Sequence, residues 1–83
     1  MRLRRIRARN KMEELLKQLG FSKSHNQYDY DKHIKNRIYI TVYPSGEGWE
    51  VAVSSENSDG SANTIFLGAT TEKKISLLVE ALF

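Results

Sequence analysis

The spacing of hydrophobic residues changes twice along the chain, and each change marks an element boundary. Met12, Leu15, Leu16 and Leu19 recur at i, i+3, i+4 and i+7, the spacing of one buried helical stripe. Asn10 stands where an N-cap belongs, and Glu13 three residues later is the matching capping-box partner. Glu13 and Glu14 add negative charge to the first turn, where the helix dipole favours it. Gly20 supplies a left-handed stop, and Phe21 follows as the hydrophobe that folds back towards Leu16. The pattern predicts a helix over about 11–19.

From His25 the period becomes two. Tyr28 and Tyr30 alternate with Asp29 and Asp31, which predicts a first strand near residues 26–32. Asn36 then leads into a second, Arg37–Tyr43, with Ile38, Ile40 and Val42 on one face and Tyr39, Thr41 and Tyr43 on the other. Residues 44–48, Pro-Ser-Gly-Glu-Gly, form a turn. Trp49, Val51 and Val53 share one face of the next strand, and Asp59-Gly60 marks a hairpin loop within 55–63. Thr64–Leu67 ends the meander. Helical spacing then returns: Thr70 or Thr71 caps a last helix whose stripe is Ile75, Leu78, Val79 and Leu82.

The expected fold class is therefore α+β. A helix, a three- to four-stranded antiparallel meander and a second helix follow in that order, with both helices on one sheet face. Residues 1–10 form a basic N-terminal arm, flexible alone or extending the helix on binding, and residues 11–83 a single domain. Met12-Glu13-Glu14-Leu15-Leu16 would itself make a normal translation start, leaving the helix intact.

Composition narrows what such a domain can do. The absence of cysteine excludes a disulfide framework, a thiolate metal site and a thiol nucleophile. No apolar run approaches the roughly 20 residues of a membrane-spanning helix, and no apolar stretch follows the basic start as in a secretory signal. We expect a soluble cytoplasmic protein with no membrane partner and no cofactor.

Charge is divided unevenly. Arg2, Arg4, Arg5, Arg7, Arg9 and Lys11 place six cations and no acid in the first eleven positions. From residue 12 onward seven Lys and Arg stand against ten acids, a net of −3, so the overall +3 belongs to the arm. Clustered guanidinium groups match phosphate oxygens and release counterions on binding. The arm thus points to nucleic acid or a nucleoprotein as partner. The alternative is a small protein-interaction inhibitor or regulator, of the phage-encoded or accessory kind that blocks a host enzyme. It would use the acidic body and an aromatic sheet face carrying Tyr39, Tyr43, Phe66 and Glu50. A homodimer through that face or an edge strand is a third expectation.

Lys73 and Lys74 stand in the first turn of the last helix beside Thr70 and Thr71, so backbone donors, hydroxyls and ammonium groups converge as an anion site would need. Helix, strands, helix, with lysines opening the last helix, resembles the double-stranded-RNA-binding domain, and that likeness implies RNA contact through this pair. The chain departs from that family's pattern in two places. The loop 43–48 has no histidine, and Ser76 or Leu77 stands where a third lysine belongs.

Catalytic and metal motifs are not expected. His25, Asp29, Asp31 and His33 would share one side of a strand, but positions 25 and 33 would be about 26 Å apart, too far for one ion. Glu72-Lys73-Lys74, with Asp59 upstream, mimics a nuclease spacing but opens a helix instead of ending a strand. The serines of residues 54–61 have no evident base nearby. The chain reads as a non-enzymatic binding protein.

Overall fold

A computed structural model describes residues 11–82. Within them the first helix, α1, covers residues 11–18. Five strands follow: β1 (Ser22–Lys23), β2 (Tyr30–Lys35), β3 (Ile38–Ser45), β4 (Gly48–Glu56) and β5 (Ala62–Thr70). The helix α2 (Glu72–Leu82) closes the chain. The strands form one antiparallel sheet in sequence order, so the class is α+β with a five-stranded meander. The added strand is β1, whose two residues are too few to show a period.

The first helix ends as its residues dictate. The Phe21 N–H donates to the Leu16 carbonyl at 2.8 Å and the Gly20 N–H to the Lys17 carbonyl at 3.1 Å, the paired bonds of a Schellman motif. Gly20 takes φ +89°, which an L side chain resists, and a Cβ there would meet the Lys32 Nζ at 2.7 Å. At α2, Thr71 is the cap: its Oγ1 accepts from the Lys74 N–H at 3.3 Å. The proposed cap of α1, Asn10, lies outside the described residues.

The segment expected to begin the first strand is instead a turn. Asn26 Oδ1 accepts from the Ser24 hydroxyl at 2.7 Å, the Tyr28 N–H at 2.8 Å and the Asp29 N–H at 3.0 Å. Its Nδ2 donates to Asp29 Oδ2 at 2.9 Å. A side chain that satisfies this many local groups removes the incentive to form a ladder, so β2 starts only at Tyr30. Tyr28 and Tyr30 consequently part company, the first 69% exposed and the second 2%. Pro44 falls inside β3 and not after it, paired with Trp49. It lies beyond Tyr30↔Val42, the last β2–β3 pair, so no strand on that side needs its missing N–H.

Strand registers line up residues in rows across the sheet. Tyr30, Val42, Val51 and Gly68 make one row, and Lys32, Ile40, Val53 and Ile65 the next on the same face. Tyr30, Ile34, Ile40, Val42, Trp49 and Val51 join Met12 and Leu16 of α1, Phe21, and Ile75 and Val79 of α2 in one buried cluster. Tyr30 and Trp49 rings meet tilted at 59° with centroids 6.3 Å apart. The Tyr30 hydroxyl is buried beside the Glu13 carboxylate. Burial raises its pKa above 10.0, and the nearby Glu13 carboxylate adds to the rise.

Between β4 and β5 the register slips. Val51 faces Gly68 but Ala52 faces Phe66, leaving Leu67 as the extra residue of a bulge. Gly68 supports it with φ +87°. The slip reverses which side of β5 each residue faces, putting Phe66 opposite the core.

Gly20→Ala and Gly68→Ala should each cost about 1–2 kcal/mol in urea unfolding, because alanine is held in the left-handed region; the first must also displace the Lys32 ammonium. Tyr30→Phe should change stability by no more than about 1 kcal/mol at neutral pH, since it removes a hydroxyl buried beside the Glu13 carboxylate. Because the native state disfavours the phenolate, Tyr30 contributes stability below pH 10 that is lost as pH rises through its native pKa. Thermal melts from pH 9 upward should therefore fall less steeply for Tyr30→Phe than for the natural chain.

Candidate interaction face

The sheet face away from the buried cluster is built by the alternate residues of the same strands. One row across it reads Asp31, Thr41, Ala52 and Phe66, and the next His33, Tyr39, Ser54 and Thr64. Tyr43 and Glu50 face each other in a third row with Ala69. Cross-strand polar pairs fix these side chains. Thr41 Oγ1 donates to Asp31 Oδ1 at 2.7 Å, and the Ser54 and Thr64 hydroxyls share a bond of 2.9 Å. The Tyr43 hydroxyl donates to Glu50 Oε1 at 3.3 Å, and the Ser45 hydroxyl to Glu50 Oε2.

A shallow depression of about 290 Å³ lies in this face, lined by Asp29, Thr41, Tyr43, Ala52, Ser54, Thr64 and Phe66. Ala52 lines it beside Phe66, its cross-strand partner, and is only 3% exposed. Phe66 is 70% exposed. The lining holds one carboxylate and no cation. Tyr43 is held above its ordinary pKa by desolvation first, then by the Glu50 carboxylate, to which its hydroxyl donates, and by Asp29.

Of the residues expected at a protein contact, Tyr43 and Phe66 line the depression and Glu50 bonds to one of them. Tyr39 shares the face but packs on His33, centroids 5.0 Å apart, outside the lining. Of the other lining residues, Asp29 belongs to the acidic body and Thr41 and Ala52 alternate onto this face, whereas Ser54 and Thr64 were not singled out. Alternation about Tyr39 and Phe66 signals Thr41 and Thr64, but the pairing of Ala52 with Phe66 depends on the bulge. Among the residues expected to bind nucleic acid, Arg2, Arg4, Arg5, Arg7 and Arg9 lie outside the described residues. Lys11 is exposed at the described end of α1, and Lys73 and Lys74 are exposed on the first turn of α2, not in the lining. Among the described residues no three His, Asp or Glu gather as a metal site would require, and no helix is long and apolar enough to cross a membrane. Asp59 is held below its ordinary pKa by the Ser61 hydroxyl and N–H at 2.6 and 2.9 Å, a loop-stabilising role.

The chain matches no protein-family model, no curated protein and no solved structure.

Glu50→Gln should bring the Tyr43 pKa back towards 10.0 by removing the adjacent negative charge, read as a lower-pH midpoint of phenolate absorbance than in the natural chain.

Proposed function

We propose that this protein is a small non-enzymatic binding module that holds a protein partner against its open sheet face. The reading takes both helices to cover the buried face, since their stripes share one core with the Ile40 and Val42 rows. The opposite face is then left for a partner. One observation carries the proposal: an exposed phenylalanine borders a shallow depression with a carboxylate and no cation in its lining. Exposed aromatic side chains contribute strongly to protein contacts when a partner desolvates them. Asp29, Asp31 and Glu50 already accept one or more internal hydrogen bonds, which fixes their direction, and each carboxylate retains further lone pairs for a donor. The chemistry suits a lysine or arginine whose stem lies on Phe66 and Ala52 while its head meets Asp29. Such a module works in the cytoplasm by occlusion, blocking or steering the protein it holds.

A second reading is favoured by a separate observation, the six cations in the first eleven residues. On it, Arg2, Arg4, Arg5, Arg7, Arg9 and Lys11 hold phosphates of a nucleic acid or nucleoprotein, with Lys73 and Lys74 as a lesser contact.

The two readings separate by anisotropy titrations of an extended basic peptide, an acidic peptide and single- and double-stranded oligonucleotides, each at low and high salt. The basic peptide should bind and Phe66→Ala should weaken it at least 10-fold, about 1.4 kcal/mol or more. Replacing all five arm arginines by alanine should leave that affinity unchanged. Oligonucleotide binding that is lost with the arginines, beside a basic peptide that never binds, would reject the face in favour of the arm.

A further inference from the structure

The two edges of the sheet differ in kind. One is β1, two residues long and carrying Lys23; the other is β5, nine residues without a charged side chain. Short or charged edges discourage pairing with another chain, and long uncharged ones invite it. Ile65, Phe66 and Leu67 on β5 are 64%, 70% and 52% exposed. No strand flanks β5 on its outer side among the described residues.

Ladder phase shows which backbone groups are left over. The Asn57 N–H donates to the Ser61 carbonyl at 2.6 Å, so hydrogen-bonded pairs alternate onward from there. Asn63 and Ile65 therefore bond to β4, through Ser55 and Val53, whereas the N–H and C=O of Ala62, Thr64 and Phe66 point outward. Beyond Phe66 the bulge at Leu67 and the positive φ of Gly68 break the regular edge.

We propose that β5 pairs with β5 of a second copy of this chain, antiparallel about a two-fold axis at Thr64, joining the two sheets. Thr64 is the midpoint of the regular stretch between the hairpin loop and the bulge. In this register Thr64 faces Thr64 of the second copy and Ala62 faces Phe66, making about six backbone hydrogen bonds, two for each facing pair. No charge opposes a like charge along the paired stretch. The register also carries the Asp59 loop of one copy towards the start of α2 of the other, where Lys73 and Lys74 outnumber Glu72, so the ends of the pairing attract. The pairing uses backbone groups of the strand edge, while the Thr64 and Phe66 side chains line the depression on the open face.

Sedimentation equilibrium of the full chain over a wide concentration range tests the pairing, together with amide hydrogen exchange at both ends of that range. A monomer–dimer equilibrium is expected, with Ala62, Thr64 and Phe66 amides gaining protection as concentration rises while Asn63 and Ile65 are protected throughout. Thr64→Lys sets two ammonium groups against each other at the axis, and Ala62→Pro removes an outward donor at the first residue of the strand; each should raise the dimer dissociation constant at least 10-fold. A chain that stays monomeric throughout, or a dimer that lacks this alternating protection and tolerates both variants, would overturn the proposal.

Discussion

The antiparallel rows through β3 and β4 are the constraint on which the rest of this domain depends. Ile40, Val42, Trp49 and Val51 lie on one face of two neighbouring strands and are all nearly or wholly buried. Burying each large aliphatic or aromatic side chain contributes roughly 1.5–3 kcal/mol, so these rows can hold the sheet only if other apolar surface covers them. Met12 and Leu16 from one end of the sequence, and Ile75 and Val79 from the other, are buried in the same cluster. The eleven residues of α2 would be marginal alone and gain their stability from this cluster, which the described turns of α1 share.

Committing one set of strand side chains to the core fixes what the alternate set displays. Because side chains alternate along a strand, every residue committed to the core sends its neighbour outward. The outward set is mostly hydroxyls and carboxylates tied across strands, interrupted by Tyr39, Tyr43 and Phe66. Hydrogen bonds between Thr41 and Asp31, and between Tyr43 and Glu50, hold this surface in one arrangement, so a partner would meet side chains already ordered. On the proposed reading the Asp29, Asp31 and Glu50 carboxylates, held by these bonds, would meet that partner's cations.

Most of the architecture was legible from periodicity. The helical stripes, the Gly20 stop, a threonine cap at 70 or 71 and the central strands followed from residue spacing and turn chemistry. The reading failed where local bonds or length hid the period. Asn26 gathers the chain of residues 24–29 into a turn that looked like alternating strand. The two residues of β1 carry no pattern, and Pro44 looked like a strand terminator because its exemption depends on where a different strand ends. Tyr43 and Phe66 were recognisable as candidates for an exposed face, and Thr41 and Ala52 with them, but that these close into one depression with Asp29, Ser54 and Thr64 was not.

The sequence by itself determined which segments fold, where they stop, and that two helical stripes and one strand face must be hidden together, because those properties rest on neighbours three or four positions apart in a helix and two in a strand. Tertiary structure decided the registers. Whether Ala52 meets Phe66 or Leu67 depends on a one-residue slip between strands, supported by a glycine in the left-handed region, and such a slip changes which side of the sheet a side chain occupies. That pairing joins residues distant in sequence, so no local pattern encodes it.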